Sequence, residues 1–110
     1  MKLGIDLGGT KIEAIVLDEQ GQSLWRKRIA TPQGDYAKTL DAIKSLVDQA
    51  KSAFDLNAHL PIGIGTPGAL FFDDKQNSFV LKNSNSTALN GRAFLQDLKA
   101  LLACEVYLEN

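Results

Sequence analysis

The sequence holds a single cysteine, Cys104, and a single histidine, His59, in 110 residues. One thiol excludes an intrachain disulfide and suits a reducing compartment, so the cytoplasm is the expected address. With no second Cys or His at ligand spacing, these residues do not build a zinc site. Surplus charge is also missing: twelve basic residues stand against thirteen acidic ones, which leaves no field to draw nucleic acid or an anionic membrane. The longest basic cluster, Arg26-Lys27-Arg28, alternates like an exposed strand. No apolar run approaches the roughly twenty residues of a membrane span, and Asp6 interrupts the first apolar stretch where a signal peptide would be unbroken. What the chain does have is aliphatic bulk. At 45% hydrophobic and 23% charged it carries an ordinary globular balance, enough for one core in one domain and too apolar for disorder.

Leu3, Ile5 and Leu7 alternate with other residues, which predicts a strand ending at Gly8-Gly9. The β-branched run Ile12 to Leu17 predicts a second strand, Asp18 to Gly21 a turn, and Ser23 to Ala30 a third strand closed by Pro32. Three strands on short turns make an antiparallel meander. From Asp35, a plausible N-cap, the period changes. Tyr36, Leu40, Ile43, Val47, Ala50 and Phe54 form one helical stripe, with Asp41, Lys44, Asp48 and Lys51 on the wet face. Leu60 to Gly65 reads as a strand, Leu70-Phe71-Phe72 and Phe79-Val80-Leu81 as a hairpin, Arg92 to Ala103 as a second helix, and Glu105 to Leu108 as a last strand. The expected fold is α/β, of order β-β-β-α-β-α-β with an inserted hairpin and a mixed sheet. No internal repeat or linker divides residues 1–110.

The chemistry concentrates in Asp6-Leu7-Gly8-Gly9-Thr10-Lys11, between two predicted strands. Glycines that take positive φ let successive backbone N–H groups form an anion-binding concavity. Thr10 adds a hydroxyl and Lys11 a positive charge. Asp6 is placed to hold Mg²⁺ through water, since Mg²⁺ keeps several waters and takes one or two carboxylates plus substrate phosphates. The plainer alternative is a hairpin turn without a ligand. Two other phosphate loops do not fit. Thr10-Lys11 reverses the Lys-Ser/Thr order of a P-loop, and a strand follows where a P-loop or a Rossmann turn requires a helix. Further along, Gly65 and Gly68 permit close backbone approach to a ligand. Asn83 and Asn85 offer paired donors and acceptors to vicinal hydroxyls, while Asn90 reads as a helix N-cap. His59 reads as an exposed connector residue, Cys104 as a small buried one, and Trp25 as packing.

Gly4 to Lys11 resembles the first phosphate motif of the actin-like ATPase superfamily, and most closely that of the ROK family (repressors, open reading frames and sugar kinases). Gly63-Ile64-Gly65-Thr66-Pro67-Gly68 is similar to that family's sugar-side loop, and Lys82 to Gly91 to the Asn-rich loop of its fructokinases. Three motifs in order across all 110 residues are more specific than any one. The resemblance implies a ribonuclease H-like lobe of a kinase that moves the γ-phosphoryl of ATP, with Mg²⁺, to a hexose such as fructose. It implies Asp6, Gly8, Gly9, Thr10 and Lys11 on the phosphates. On the sugar it implies Gly65, Thr66, Pro67, Gly68, Asn83, Asn85 and Asn110. Position 88 is Ala where fructokinase-like members tend to carry Trp, which alters one wall of the sugar pocket.

The resemblance also places the general-base Asp just after Asn110. Beyond it would come a second lobe carrying a His/Cys segment for structural Zn, and a homodimer as the full-length assembly. Residues 1–110 are therefore expected to be the N-terminal lobe of a longer kinase and inactive by themselves. Alternatives are a sugar-sensing regulator of the same family, which would carry a helix-turn-helix module ahead of the phosphate turn, and a non-catalytic sugar- or nucleotide-binding fragment.

Overall fold

The computed structural model describes residues 1–66, 68–82 and 87–109. Its elements follow the predicted order: β1 (Lys2–Leu7), β2 (Lys11–Leu17), β3 (Ser23–Ala30), α1 (Tyr36–Ala53), β4 (Ile62–Gly65), β5 (Ala69–Asp73), β6 (Ser78–Lys82), α2 (Phe94–Leu102) and β7 (Val106–Glu109), with one 3₁₀ turn at Thr87–Leu89. Five strands form one sheet in the order β3-β2-β1-β4-β7, and β5 and β6 form a separate hairpin. β1, β2 and β3 pair antiparallel, whereas β4 pairs parallel with β1 and with β7. The crossover from β3 to β4 is α1, and the crossover from β4 to β7 contains the hairpin and α2.

The alternation seen in β1 decides which face is covered. Leu3, Ile5 and Leu7, with Ile12, Ala14 and Val16 of β2 and Ile62 and Ile64 of β4, are buried in the main core with α1 and α2. The α1 stripe differs from the predicted one. Thr39, Ile43, Leu46, Val47 and Ala50 are buried, while Tyr36, Leu40 and Phe54 are only partly so. Thr39 tolerates burial because its hydroxyl donates to the Pro32 carbonyl at 3.3 Å and the Asp35 carbonyl at 2.9 Å. Asp35 caps the helix as expected, accepting the Lys38 N–H at 2.9 Å.

Asn90 does not cap α2. The N-cap is Ala93, without a side-chain hydrogen bond, and Asn90 sits instead in an isolated bridge to Leu81. Trp25 and Cys104 pack partly buried against the core, and His59 is exposed with Nδ1 2.9 Å from the Ala103 carbonyl. Edge strand β3 carries Arg26 and Arg28, both paired with Glu13 of β2, so charge marks the edge that would otherwise invite another strand. Among the described residues, no helix is long and apolar enough to cross a membrane.

Candidate functional site

The parallel register lines up three strand ends. Asp6 of β1 pairs with Gly65 of β4, and Gly65 pairs with Glu109 of β7. At roughly 4.8 Å per strand, these three backbone positions span about 10 Å along one edge of the sheet. In open α/β sheets, ligands bind outside the carboxyl ends of parallel strands. Here that edge also holds the turn between β1 and β2, so the predicted phosphate residues and Gly65 of the predicted sugar-side loop arrive at one place.

Asp6 is exposed, and its carboxylate has no hydrogen bond or ion pair among the described residues. An exposed, uncommitted carboxylate beside a candidate phosphate turn fits a Mg²⁺ held through water. Among the described residues, no three His, Cys, Asp or Glu side chains cluster as a metal cage, so such an ion would need oxygens from phosphate and water.

The turn calls for its first glycine for a reason other than the expected one. Gly8 does not take positive φ. Its N–H donates to the Lys11 carbonyl at 2.9 Å, and a β-carbon added at Gly8 would lie 3.0 Å from that oxygen. Close backbone approach, then, is what calls for glycine at this position. Thr10 and Lys11 are exposed at the tip of the turn and at the first residue of β2.

Two residues that sequence reasoning missed hold this turn from behind. Thr31 Oγ1 donates to the Gly8 carbonyl at 3.0 Å, and Thr31 N–H to the Thr10 carbonyl at 2.9 Å. Gln33 Nε2 donates to the Gly9 carbonyl at 2.7 Å and to the Thr31 carbonyl at 3.3 Å. Thr31-Pro32-Gln33 reads locally as the end of a strand; the predicted meander returns it toward the β1–β2 turn, but nothing in its spacing tells that its side chains bond that turn.

The two glycines predicted to lie on the sugar side divide. A β-carbon at Gly68 would meet Leu81 Cγ at 2.9 Å and the Lys82 carbonyl at 3.0 Å, so packing against β6 accounts for that glycine. A β-carbon at Gly65 would find only Asp6 Oδ1 at 3.9 Å and the Ile5 carbonyl at 4.0 Å, ordinary contacts. The fold does not need glycine at 65. Thr66 is buried at 4% exposure, and its hydroxyl accepts the Gly68 N–H at 3.5 Å, bracing its own loop. Pro67, Asn83, Asn85 and Asn110 lie outside the described residues.

The chain matches the family model of the ROK family over residues 2–110. It is 37% identical over 110 residues to an N-acetyl-D-glucosamine kinase of Erwinia tasmaniensis, covering all of this chain and 34% of that protein. A ROK hexokinase from Thermus thermophilus superposes with a TM-score of 0.78 at 28% identity, covering 99% of this chain and 34% of that one. A ROK family glucokinase from Streptomyces griseus, in complex with glucose and AMPPNP, gives 0.77 at 29% identity, with coverage of 99% and 32%. The chain spans about a third of the length of these relatives.

Proposed function

The chain belongs to the ROK family, and from that premise we propose that it forms part of an ATP-dependent kinase that phosphorylates a hexose. The observation that carries this reading is the shared edge. Asp6, next to last in β1, lies in register with Gly65 of the sugar-side loop, with Leu7 between it and the turn at residues 8–11. Phosphoryl transfer asks mainly for positioning and for stabilisation of phosphate charge. In this reading Gly8, Gly9 and Thr10 contact the phosphates, Lys11 adds positive charge, and Asp6 holds Mg²⁺ through water. When bound, Mg²⁺ neutralises charge on the phosphates. Gly65 leaves room for the sugar beside Asp6. Thr66, Pro67, Gly68, Asn83, Asn85 and Asn110 belong to the sugar side in the same reading.

Residues 1–110 are then one lobe. Relatives roughly three times as long support assigning the general base, the rest of the cleft and any structural Zn to other residues. The full-length kinase is read as a cytoplasmic homodimer, a compartment in keeping with the free thiol of Cys104.

The names of the relatives put N-acetyl-D-glucosamine and glucose ahead of fructose as first sugars to try. Fructose is implied by the resemblance of the loop around Asn83 and Asn85, a pattern from which Ala88 departs. The test is ADP release by the full-length polypeptide with ATP, Mg²⁺ and a panel of these three sugars. Release that depends on one of them is expected. A folded, full-length protein that releases no ADP with any hexose would overturn the proposal.

A further inference from the structure

Resting on the phosphate-turn reading above, we infer that Thr31 and Gln33 are positioning residues for the nucleotide phosphates, acting through the backbone of residues 8–10 and not by touching the ligand. In a trans peptide the C=O and the following N–H point in opposite directions, and no peptide among the described residues is cis. The Gly8 carbonyl is drawn to Thr31 Oγ1 and the Gly9 carbonyl to Gln33 Nε2. The Gly9 and Thr10 N–H groups share those two peptide planes and therefore face the other way, out of the strap. A third tie, from Thr31 N–H to the Thr10 carbonyl, fixes the next plane. Backbone donors fixed before the ligand arrives need no reorganisation when phosphate binds, which is what makes such donors effective.

The strap has the stiffness this role needs. Thr31 is 6% exposed, so a lost side-chain bond there is poorly replaced by water. Gln33 faces two carbonyl oxygens, Gly9 and Thr31, so only its amide nitrogen fits between them. The segment is tied in turn to α1, through Thr39 Oγ1 on the Pro32 carbonyl and the Asp35 cap on Lys38. The turn is thereby referenced to the first turn of α1.

The test uses steady-state kinetics of the full-length polypeptide with ATP and whichever hexose it phosphorylates. Thr31→Val keeps the side-chain volume and the backbone N–H but removes the donor to Gly8. It is expected to raise KM for ATP about tenfold while KM for the hexose stays within about twofold, and Thr31→Ser should restore the parent value. Gln33→Leu, at an exposed position, carries the same test if Thr31→Val fails to fold. Variants with the parent's thermal midpoint and an unchanged KM for ATP would overturn the inference, as would an equal rise in both KM values. A parent that neither binds ATP nor phosphorylates any hexose sinks the kinase reading and this inference with it. An active parent whose variants are indifferent sinks this inference alone.

Discussion

Asp6 and Gly65 are register partners across parallel strands, and Asp6 Oδ1 lies 3.9 Å from where a β-carbon on residue 65 would stand. That separation is ordinary contact, so the protein has room for a methyl group that it does not use. Gly68, three residues on, has no such room. Gly65→Ala should therefore leave stability within about 0.5 kcal/mol of the parent, while Gly68→Ala should cost roughly 1–3 kcal/mol through overpacking against Leu81 and the Lys82 carbonyl. If the space at Gly65 belongs to the sugar, the Gly65→Ala enzyme keeps its urea midpoint and raises KM for the hexose about tenfold. The reverse order of stabilities would show that the two glycines have been assigned the wrong roles.

Asp6 offers a cleaner separation of stability from activity. Its carboxylate is exposed and makes no bond among the described residues, so Asp6→Asn removes no native interaction there. The expected variant unfolds with the parent, yet loses about a hundredfold or more in kcat, because a neutral amide holds Mg²⁺ poorly. Chelating divalent ions from the parent should silence it in the same assay. An Asp6→Asn protein with near-parental kcat would remove this carboxylate from the metal.

Much of this was legible in the sequence. Strand alternation in Leu3, Ile5 and Leu7, the cap at Asp35 and the β-branched run of β2 each report a local preference, and each lies where expected. Asp6 to Lys11 reads as a candidate site because its glycines, hydroxyl and charges are consecutive. What was not legible depended on distance along the chain. Thr31 and Gln33 meet residues 8–10 because β3 returns beside β2 with Ala30 opposite Lys11; the predicted meander supplies the pairing, but neither this register nor the side-chain bonds that follow from it. The α1 stripe was misjudged for a related reason. Leu46 and Thr39 are buried in the fold, and a threonine counts as polar until its two carbonyl acceptors are in view. At Gly8 the sequence suggests conformational freedom, whereas the structure calls for glycine there because of the nearby Lys11 oxygen.

On the outer face of the meander, Glu13 accepts hydrogen bonds from Arg28 and Arg26, which hold its carboxyl below the usual 4.5. A depressed carboxylate adds stability above its unfolded pKa and loses it as pH falls through the folded value. Glu13→Gln should therefore narrow the difference in stability between pH 6 and pH 3, by a small amount because the Arg partners are solvent-exposed. Carboxyl carbon shifts followed by NMR should show Glu13 titrating below 4.5. Titration at or above that value would mean that the Arg pair does not persist in solution.

Tyr36 joins the two helices. Its hydroxyl donates to the Asp97 carboxylate of α2, and the Arg92 guanidinium lies 4.8 Å from the centre of its ring. Burial first, and the bond to Asp97 second, push the phenol above its ordinary 10.0. The folded chain thus keeps a proton that the unfolded chain releases above about pH 10. Stability held below that pH is lost as pH rises toward the folded value. The slope is at most about 1.4 kcal/mol per pH unit, and less at a group that is half open to water. Tyr36→Phe should cost roughly 1 kcal/mol at neutral pH by removing the bond to Asp97, and should lack the alkaline slope contributed by this phenol. Urea unfolding of both proteins at pH 8 and pH 11 makes the comparison, and the gap between them should shrink at the higher pH. A gap that stays constant would mean that the phenol ionises alike in the folded and unfolded chains, and that its bond to Asp97 does not hold its proton.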